Sequence, residues 1–567
     1  MGQRQTLESE ETTAMFDRHY AAWPANLPHS LGLPQTSLYT NLEISARRYP
    51  ERPAIVYYDT PLSYRELDEQ VCALAGYLQA QGVKRGDRVI LFMQNAPQFV
   101  IGYYAILRAD AAVVPVNPMN RSVELEHYVE DTEATVCICG QERYEAVAPL
   151  LDSGKLGHAI VANYGEYASA PTDLDLPAEV KAETQATGRD NAVLWADALN
   201  AGHTPSAHEA GPDDLCVLPY SSGTTGAPKG CVHTHRTVMA SAVHSVYWSR
   251  STSEGKSLAT LPYFHVTGMQ NGMNAPIFIG STVVLMTRWE RRTAAKLIEQ
   301  YKITRWTNIV TMAIDMLSDP EIEKYDLSSL ENIGGGGAAM PAAVSDKLFK
   351  LTGLHYIEGY GLSETIAATH INPFDAPKAQ CLGIPVFDVD SRIIDTETLT
   401  ELGPNEVGEI VSNGPQVFSG YWRRPEETKA AFIDLDGKSF FRTGDIGYYD
   451  DEGYFFIVDR VKRMINASGY KVWPAEVESL MYRHPAIREA CVISTPDPRR
   501  GESVKACVVL NSADAASAED IREWCRENMA AYKVPRVIEI CETLPRSPTG
   551  KLMWRALQEQ EWPQATG

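Results

Sequence analysis

Residues 220–230 read Tyr220-Ser-Ser-Gly-Thr-Thr-Gly-Ala-Pro-Lys-Gly230, eleven positions holding four aliphatic hydroxyls, three glycines and one lysine. Glycines let successive backbone N–H groups converge on one anion, hydroxyls add donors, and Lys229 adds a point charge, so the composition suits a polyphosphate. A plain Ser/Gly turn would not need the lysine. A Walker A loop requires Gly-x-x-x-x-Gly-Lys-Ser/Thr, whereas here proline precedes the lysine and glycine follows it. The segment comes after the apolar run 215–218 and before a helical stretch opening near Arg236, an order of strand, loop and helix that belongs to α/β folds.

The same alternation extends in both directions. Residues 63–81 carry a helical apolar period, and 87–92 and 111–116 are short apolar runs of strand type. Strand-type runs recur at 257–261, 282–286 and 354–357, separated by helical stretches such as 292–301. Residues 151–212 differ: polar, rich in Ala, Asp and Glu and weakly periodic, they are expected to form a surface excursion or loosely structured insertion. A boundary is expected near Asp459-Arg460. Residues 454–458 read as a strand, followed by a helix over 474–483, strands over 490–494 and 504–510, and a helix opening near Ser517, the pattern of a small α+β unit. Charge divides at the same place: residues 460–567 hold 16 Lys/Arg against 14 Asp/Glu, a net of +2, and residues 1–459 hold 35 against 59, a net of −24.

The chain has 567 residues, 44% hydrophobic and 22% charged, a composition of folded domains with large cores. Its net charge of −22 repels polyanions, so nucleic acid is not an expected partner. Ten cysteines are scattered, Cys137 and Cys139 being the closest pair, with no Cys-x-x-Cys pair or Cys/His cluster at metal-ligand spacing. They are expected to be reduced, mostly buried thiols of a cytoplasmic protein. The N-terminus lacks the apolar core of a signal peptide, and no stretch reaches the roughly 18 uninterrupted apolar residues of a transmembrane helix, leaving at most peripheral membrane contact.

Four further motifs follow the first in order. They are Tyr360-Gly-Leu-Ser-Glu-Thr365, Arg442-Thr-Gly-Asp445, Asp459-Arg-Val-Lys-Arg-Met-Ile465 with Ser468-Gly-Tyr470, and Pro545-Arg-Ser-Pro-Thr-Gly-Lys551. The series resembles that of the AMP-forming adenylating superfamily of acyl-CoA synthetases, firefly-type luciferases and peptide-synthetase adenylation domains, over about residues 38–558. The resemblance implies an α/β fold with a large multi-lobed N-terminal adenylate-forming domain, residues 1–459, and a small mobile α+β C-terminal lid, residues 460–567.

It also implies roles. Ser221, Ser222, Gly223, Thr224, Thr225, Gly226 and Lys229 would grip the phosphates of ATP. Tyr360, between Gly359 and Gly361, would stack on adenine, with Gly337, Ala338 and Ala339 along the same pocket. Ser363 would contact phosphate, and Glu364 with Thr225 would hold Mg2+. Asp445 would accept both ribose hydroxyls, and Arg460 would contact ribose and phosphate. Lys462 stands at the hinge, where other relatives carry aspartate, and reads as a pivot. Ser468, Gly469 and Tyr470 would line the pantetheine channel of coenzyme A. Lys551 would bridge the acid's carboxylate and the ATP α-phosphate, a fixed cation where two anions meet.

His265, within Leu261-Pro-Tyr-Phe-His-Val-Thr-Gly268, aligns with the family's aromatic or histidine position beside the acid. Tyr263-Phe-His265 supplies no carboxylate for an α-ammonium group, which disfavours an amino-acid substrate. Asn332-Ile-Gly-Gly-Gly-Gly-Ala-Ala-Met340 resembles the strand and loop lining the acid and adenine pockets, its glycines expected to leave room beside the backbone. Asn308-Ile-Val-Thr-Met312 departs from the family's usual Val-Pro-Thr. Gly268, Met269, Gly272, Asn308, Gly335 and Gly336 are expected to line a roomy, apolar acyl tunnel for an alkyl chain. The implied activity joins a medium- or long-chain fatty acid to CoA through an acyl-adenylate, using ATP, Mg2+ and coenzyme A. A stand-alone enzyme loading a carrier protein and an aryl or cinnamate-type CoA ligase are the alternatives, and homodimerisation is left open.

Overall fold

Ser63 starts the helix Tyr64–Ala80 where the apolar period begins. Its hydroxyl accepts the Glu66 amide while the Glu66 carboxylate accepts the Ser63 amide, a reciprocal capping box that satisfies two otherwise orphaned donors. This helix packs on Pro97–Arg108, which opens with proline at its first position and is buried almost end to end. The computed structural model that shows this describes residues 16–221, 228–337, 339–460, 463–467, 470–497, 501–512, 515–546 and 552–562. The chain divides into two units that are not contiguous in sequence. The first comprises Met1–Ser391, Ser412–Phe441 and Asp451–Phe455; the second comprises Arg392–Val411, Arg442–Asp450 and Phe456–Gly567.

The first unit contains two large sheets. In one, Tyr356–Leu362, Asn332–Gly336, Arg305–Asn308, Lys256–Ala259, Thr282–Leu285 and Pro53–Tyr57 run parallel side by side, with antiparallel strands at both edges. The other places Leu215–Val217, Ala112–Pro115, Arg88–Phe92, Val136–Gly140, His158–Ala162 and Ala192–Leu194 in parallel order. Strands buried on both faces read as continuous apolar runs, which is why Arg88–Phe92 and Ala112–Pro115 stand out in the sequence. One apolar core takes side chains from both sheets and from the helices Tyr64–Ala80 and Pro97–Arg108.

Residues 151–212 depart from expectation. His158–Ala162 and Ala192–Leu194 are the outer strands of the second sheet, Val161 opposite Leu194, and Trp195 is fully buried with its indole N–H donating to Tyr167 Oη at 3.0 Å. Strands of three and five residues are too short to show a period through the polar loops around them.

In the second unit, Tyr470–Val472, Ile465–Ala467, Gly501–Leu510 and Ile487–Asp497 pair antiparallel in that order, and Val537–Ile540 joins Gly501–Leu510 in parallel. The helices Pro474–Met481 and Ala518–Asn528 share its apolar core, the latter opening near Ser517 as the sequence suggests, where Ser517 and Asp520 form a capping box. No helix among the described residues is long and apolar enough to cross a membrane, and no disulfide joins the ten cysteines.

Candidate active site

Ser221 lies opposite Lys229 and Tyr220 opposite Gly230 in an antiparallel pair, so the two ends of the hydroxyl-rich segment are held together. Ser222, Gly223, Thr224, Thr225 and Gly226 lie outside the described residues. The ends are anchored through Asp131. Its Oδ2 accepts from the Tyr220 hydroxyl at 2.7 Å, its Oδ1 from Arg424 Nη2 at 2.9 Å, and its backbone oxygen from Trp422 Nε1 at 3.0 Å. The Trp422 amide in turn donates to Gly230 O at 2.8 Å. Lys229 Nζ sits 5.2 Å from the centre of the Tyr421 ring and 4.0 Å from Glu427 Oε1.

Tyr421 also carries the next link, because its hydroxyl donates to Glu364 Oε1 at 2.9 Å. Burial and then the Glu364 carboxylate push this phenol well above its ordinary value, so it stays a donor at any physiological pH. Glu364 is 7% exposed and sits in the single turn Ser363–Thr365 that follows the strand Tyr356–Leu362. Thr365 Oγ1 closes that turn by accepting from the Leu362 amide, and His233 donates Nε2–H to Ser363 O at 2.8 Å. Burial lowers His233 to about 4, leaving the ring neutral with a single N–H for that bond. Beyond the turn, Ile366 and Ala367 hold positive φ values of 45° and 107°, local strain of a kind that collects at functional sites.

Tyr360 is 8% exposed and tilted against His370, 5.7 Å between ring centres. The glycines around it do not leave the room expected of them. A Cβ on Gly335 would collide with Asn308 O, one on Gly336 with Gly359 O, and one on Gly361 with Ala367 O. They exist so that neighbouring strands can approach, which a side chain would prevent. Gly337, with φ of +87°, follows the strand in open space, Ala339 is exposed, and Ala338 lies outside the described residues. Glu358, not anticipated from the sequence, accepts from the amides of Met340 at 3.2 Å and Gln380 at 2.9 Å. These bonds favour its ionised form, but burial outweighs them and raises the carboxyl to about 7.

His265 is exposed and stands at the residue before the short helix Val266–Met269, with no capping bond from its side chain. Asn95 fixes the approach to it, donating to Leu261 O at 2.9 Å and accepting from the Tyr263 amide at 2.8 Å. The Tyr263 hydroxyl donates to Gly272 O across the loop, where a π-helical turn spans Gln270–Asn274. Gly268 and Gly272 line a narrow cavity of about 10 Å³ together with Thr307 and Arg305. Met269 instead points into the core, and the Asn308 side chain accepts from the Tyr356 hydroxyl at 3.3 Å. Alternation along Arg305–Asn308 gives the reason: Arg305 and Thr307 share the cavity face, and Asn308 shares the other face with Trp306. The cavity beside Gly268 and Gly272 is a throat narrower than the roomy, apolar tunnel expected, and it borders a wider cavity of about 210 Å³ that Arg305 and several hydroxyls line.

In the second unit, Asp445 is 1% exposed and follows Gly444, whose φ of +70° turns the chain. Thr443 Oγ1 accepts from the Asp445 amide and donates to Ile410 O, while Arg442 pairs with Glu409 at 2.6 Å. Arg460 ends the strand Phe455–Arg460, and Tyr470 begins Tyr470–Val472. Lys462, Ser468, Gly469 and Lys551 lie outside the described residues. The segment carrying Lys551 is bracketed by a bridge between Arg546 and Leu552.

Among the described residues no group of three or more His, Cys, Asp or Glu side chains could cage a metal ion. Glu364, a lone buried carboxylate with one oxygen held by Tyr421, fits Mg2+, which keeps several waters and takes its remaining ligands from substrate phosphates.

The family described as AMP-binding enzyme matches residues 42–422, and the AMP-binding enzyme C-terminal domain matches residues 476–551. The long-chain-fatty-acid–CoA ligase of Bacillus subtilis (strain 168) is 36% identical over 95% of this chain and 97% of its own. The feruloyl-CoA synthase of an Amycolatopsis species is 32% identical over 90% and 96%. The crystal structure of ATP-bound MatB from Rhodopseudomonas palustris superposes with a TM-score of 0.81 at 26% identity, covering 93% of this chain and 99% of that one.

Proposed function

Because the chain belongs to the AMP-binding enzyme family, we propose that it is an AMP-forming acid–thiol ligase that converts a fatty acid to its CoA thioester. In the first half-reaction a carboxylate oxygen attacks the α-phosphorus of ATP, forming the acyl-adenylate and expelling pyrophosphate. In the second, the CoA thiol attacks the acyl carbon, the C–O bond to AMP breaks, the thiol proton is lost, and acyl-CoA and AMP leave. The observation that carries this reading is the array of Lys229, Tyr421 and Glu364 beside the 220–230 segment, within a match to the family over most of the chain.

The substrates are ATP, CoA and the acid, with Mg2+ as the metal cofactor. Glu364 is the residue that would hold Mg2+, which supplies charge neutralisation at the phosphates when bound. Lys229 and the neighbouring hydroxyls hold the phosphates, Tyr360 stacks on adenine, and Asp445 binds the ribose. Tyr421 orients the Glu364 carboxylate. Lys551 neutralises the charge that builds where the acid meets the α-phosphate. Between the half-reactions the C-terminal domain turns about Lys462, withdrawing Lys551 and presenting Ser468, Gly469 and Tyr470 to pantetheine. The acid class follows the fatty-acid relatives, and a feruloyl-CoA synthase at 32% identity keeps aryl acids as the second reading. Ten cysteines without a disulfide support a cytoplasmic location.

The test is a panel of fatty and aryl acids with ATP, Mg2+ and CoA, read by acid-dependent pyrophosphate release. Turnover confined to aryl acids would move the assignment to the second reading, and release with no acid in the panel would contradict both.

A further inference from the structure

Arg305 opens the strand Arg305–Asn308, opposite Ser257 in the neighbouring strand, and both residues line the throat and the wider cavity. Arg305 is half-buried, with its Nε shielded from solvent, and no carboxylate among the described residues pairs with its guanidinium. Its Nη1 donates to Ser249 Oγ and to Ser251 Oγ at 3.0 Å, and its Nη2 donates to Ser245 Oγ at 3.2 Å and Asn271 Oδ1 at 3.1 Å. All four acceptors are neutral. The fifth donor, Nε–H, has no partner among the described residues.

Even a half-buried cation loses part of its hydration, and neutral hydroxyls replace it only in part unless an anion answers the charge. Burial lowers Arg305 to about 10, so it remains charged at neutral pH. The other charges facing the wide cavity do not supply the anion. Arg250 is a second cation, already paired with Asp375 at 2.5 Å, and Glu331 is exposed. The remaining walls near Arg305 are the short hydroxyls of Ser249, Ser251 and Ser257 and the apolar Val246 and Ile279.

The throat climbs from Arg305 along one strand face to Thr307, about 7 Å for two residues, and reaches Gly268 close to His265. Resting on the acid-activating function proposed above, the throat is the path of the acid's chain and Arg305 meets its far end. We propose that the enzyme selects acids whose distal end carries a second carboxylate, which pairs with Arg305 while the proximal carboxylate is adenylated. Arg305 is a specificity-determining residue and takes no part in the chemistry. The throat must widen for the chain to pass.

The test measures kcat/KM by pyrophosphate release for straight-chain α,ω-dicarboxylic acids and for monocarboxylic acids of the same lengths, with the full chain. The expected result is a preference for the diacid of about tenfold or more at the best length, the size of one charge-assisted hydrogen-bonded pair. Arg305→Met should lose at least that factor on the diacid, mainly as raised KM, and should gain on the monoacid, reversing the order. Arg305→Lys keeps the cation and should retain a diacid preference, which covers the case in which the methionine variant does not fold. A wild-type enzyme that prefers the monoacid at every length, or an Arg305→Met variant that loses equally on both acids, overturns the proposal and leaves the ligase assignment standing. Failure of every acid of either class to release pyrophosphate overturns the ligase assignment itself.

Discussion

The Tyr421 hydroxyl donates to Glu364 Oε1 at 2.9 Å while the same ring lies 5.2 Å from Lys229 Nζ, so one aromatic side chain joins the carboxylate and the lysine of two motifs far apart in sequence. Glu364 cannot rotate away from Tyr421 without giving up that bond. Tyr421→Phe keeps the ring beside Lys229 and removes only the donor. A hydrogen bond to a charged group contributes about 1.5–3 kcal/mol, so kcat/KM for ATP should fall roughly 10- to 100-fold with a higher Mg2+ requirement and an unchanged fold. A magnesium titration of the variant that overlays wild type would remove Tyr421 from the site.

Gly361 faces Ala367 O so closely that no Cβ fits. Gly361→Ala should therefore destabilise the protein by about 1–3 kcal/mol, the usual range for a forced overpacking. Because the strand leads directly into the Glu364 turn, adenylation should suffer more than stability does. Denaturant midpoint and pyrophosphate release measured on the same preparation check both parts; full activity would show that the turn tolerates the displacement.

His244 is 2% exposed, packs 5.5 Å from Phe387, and finds no hydrogen-bond partner for either ring nitrogen among the described residues. Burial lowers it to about 3. The unfolded chain takes up a proton near the ordinary histidine value of about 6.5 and the folded chain does not, so the stability due to this group is present above that value and is lost as pH falls toward 3. The slope for one such group is at most about 1.4 kcal/mol per pH unit. His19, His233, His235 and His370 are lowered in the same way, so the wild-type protein should lose stability steeply below pH ~6.5. His244→Phe should flatten that acid limb, as followed by urea midpoints across the range. Parallel curves for variant and wild type would contradict the assignment.

Lys551→Ala should nearly abolish acid-dependent pyrophosphate release while sparing CoA transfer from supplied acyl-adenylate, because the charge it neutralises exists only in the first half-reaction. Single-turnover assays of the two steps separate these outcomes; equal loss of both would assign Lys551 a general structural part.

What could be read from the sequence was what is local. The helical period over 63–81, the apolar strand Arg88–Phe92 and the 220–230 segment are each set by neighbouring residues, and the pattern survives without the fold. What could not be read depends on contacts between distant residues. Tyr421 meets Glu364 across 57 residues, and Arg424 meets Asp131 across 293, and neither tyrosine nor aspartate carries a local sign of its partner. Periodicity puts Arg305 and Thr307 on one face of a strand, but whether that face meets core or cavity is decided by the packing of Gln270–Asn274 over it. The glycines at 334–336 were legible as a need for small residues. Whether that served an open pocket or a close strand approach depended on Asn308, Ile357 and Gly359, and the approach is what these residues require.

The most direct test of an AMP-forming ligase follows the acid's own oxygen. With a carboxylate labelled in both oxygens, adenylation followed by thiol attack leaves one labelled oxygen on the phosphate of AMP and none in pyrophosphate. The expected result is one labelled AMP for each acyl-CoA formed. Appearance of ADP and labelled orthophosphate, or thioester formation with unlabelled AMP, would contradict the acyl-adenylate route.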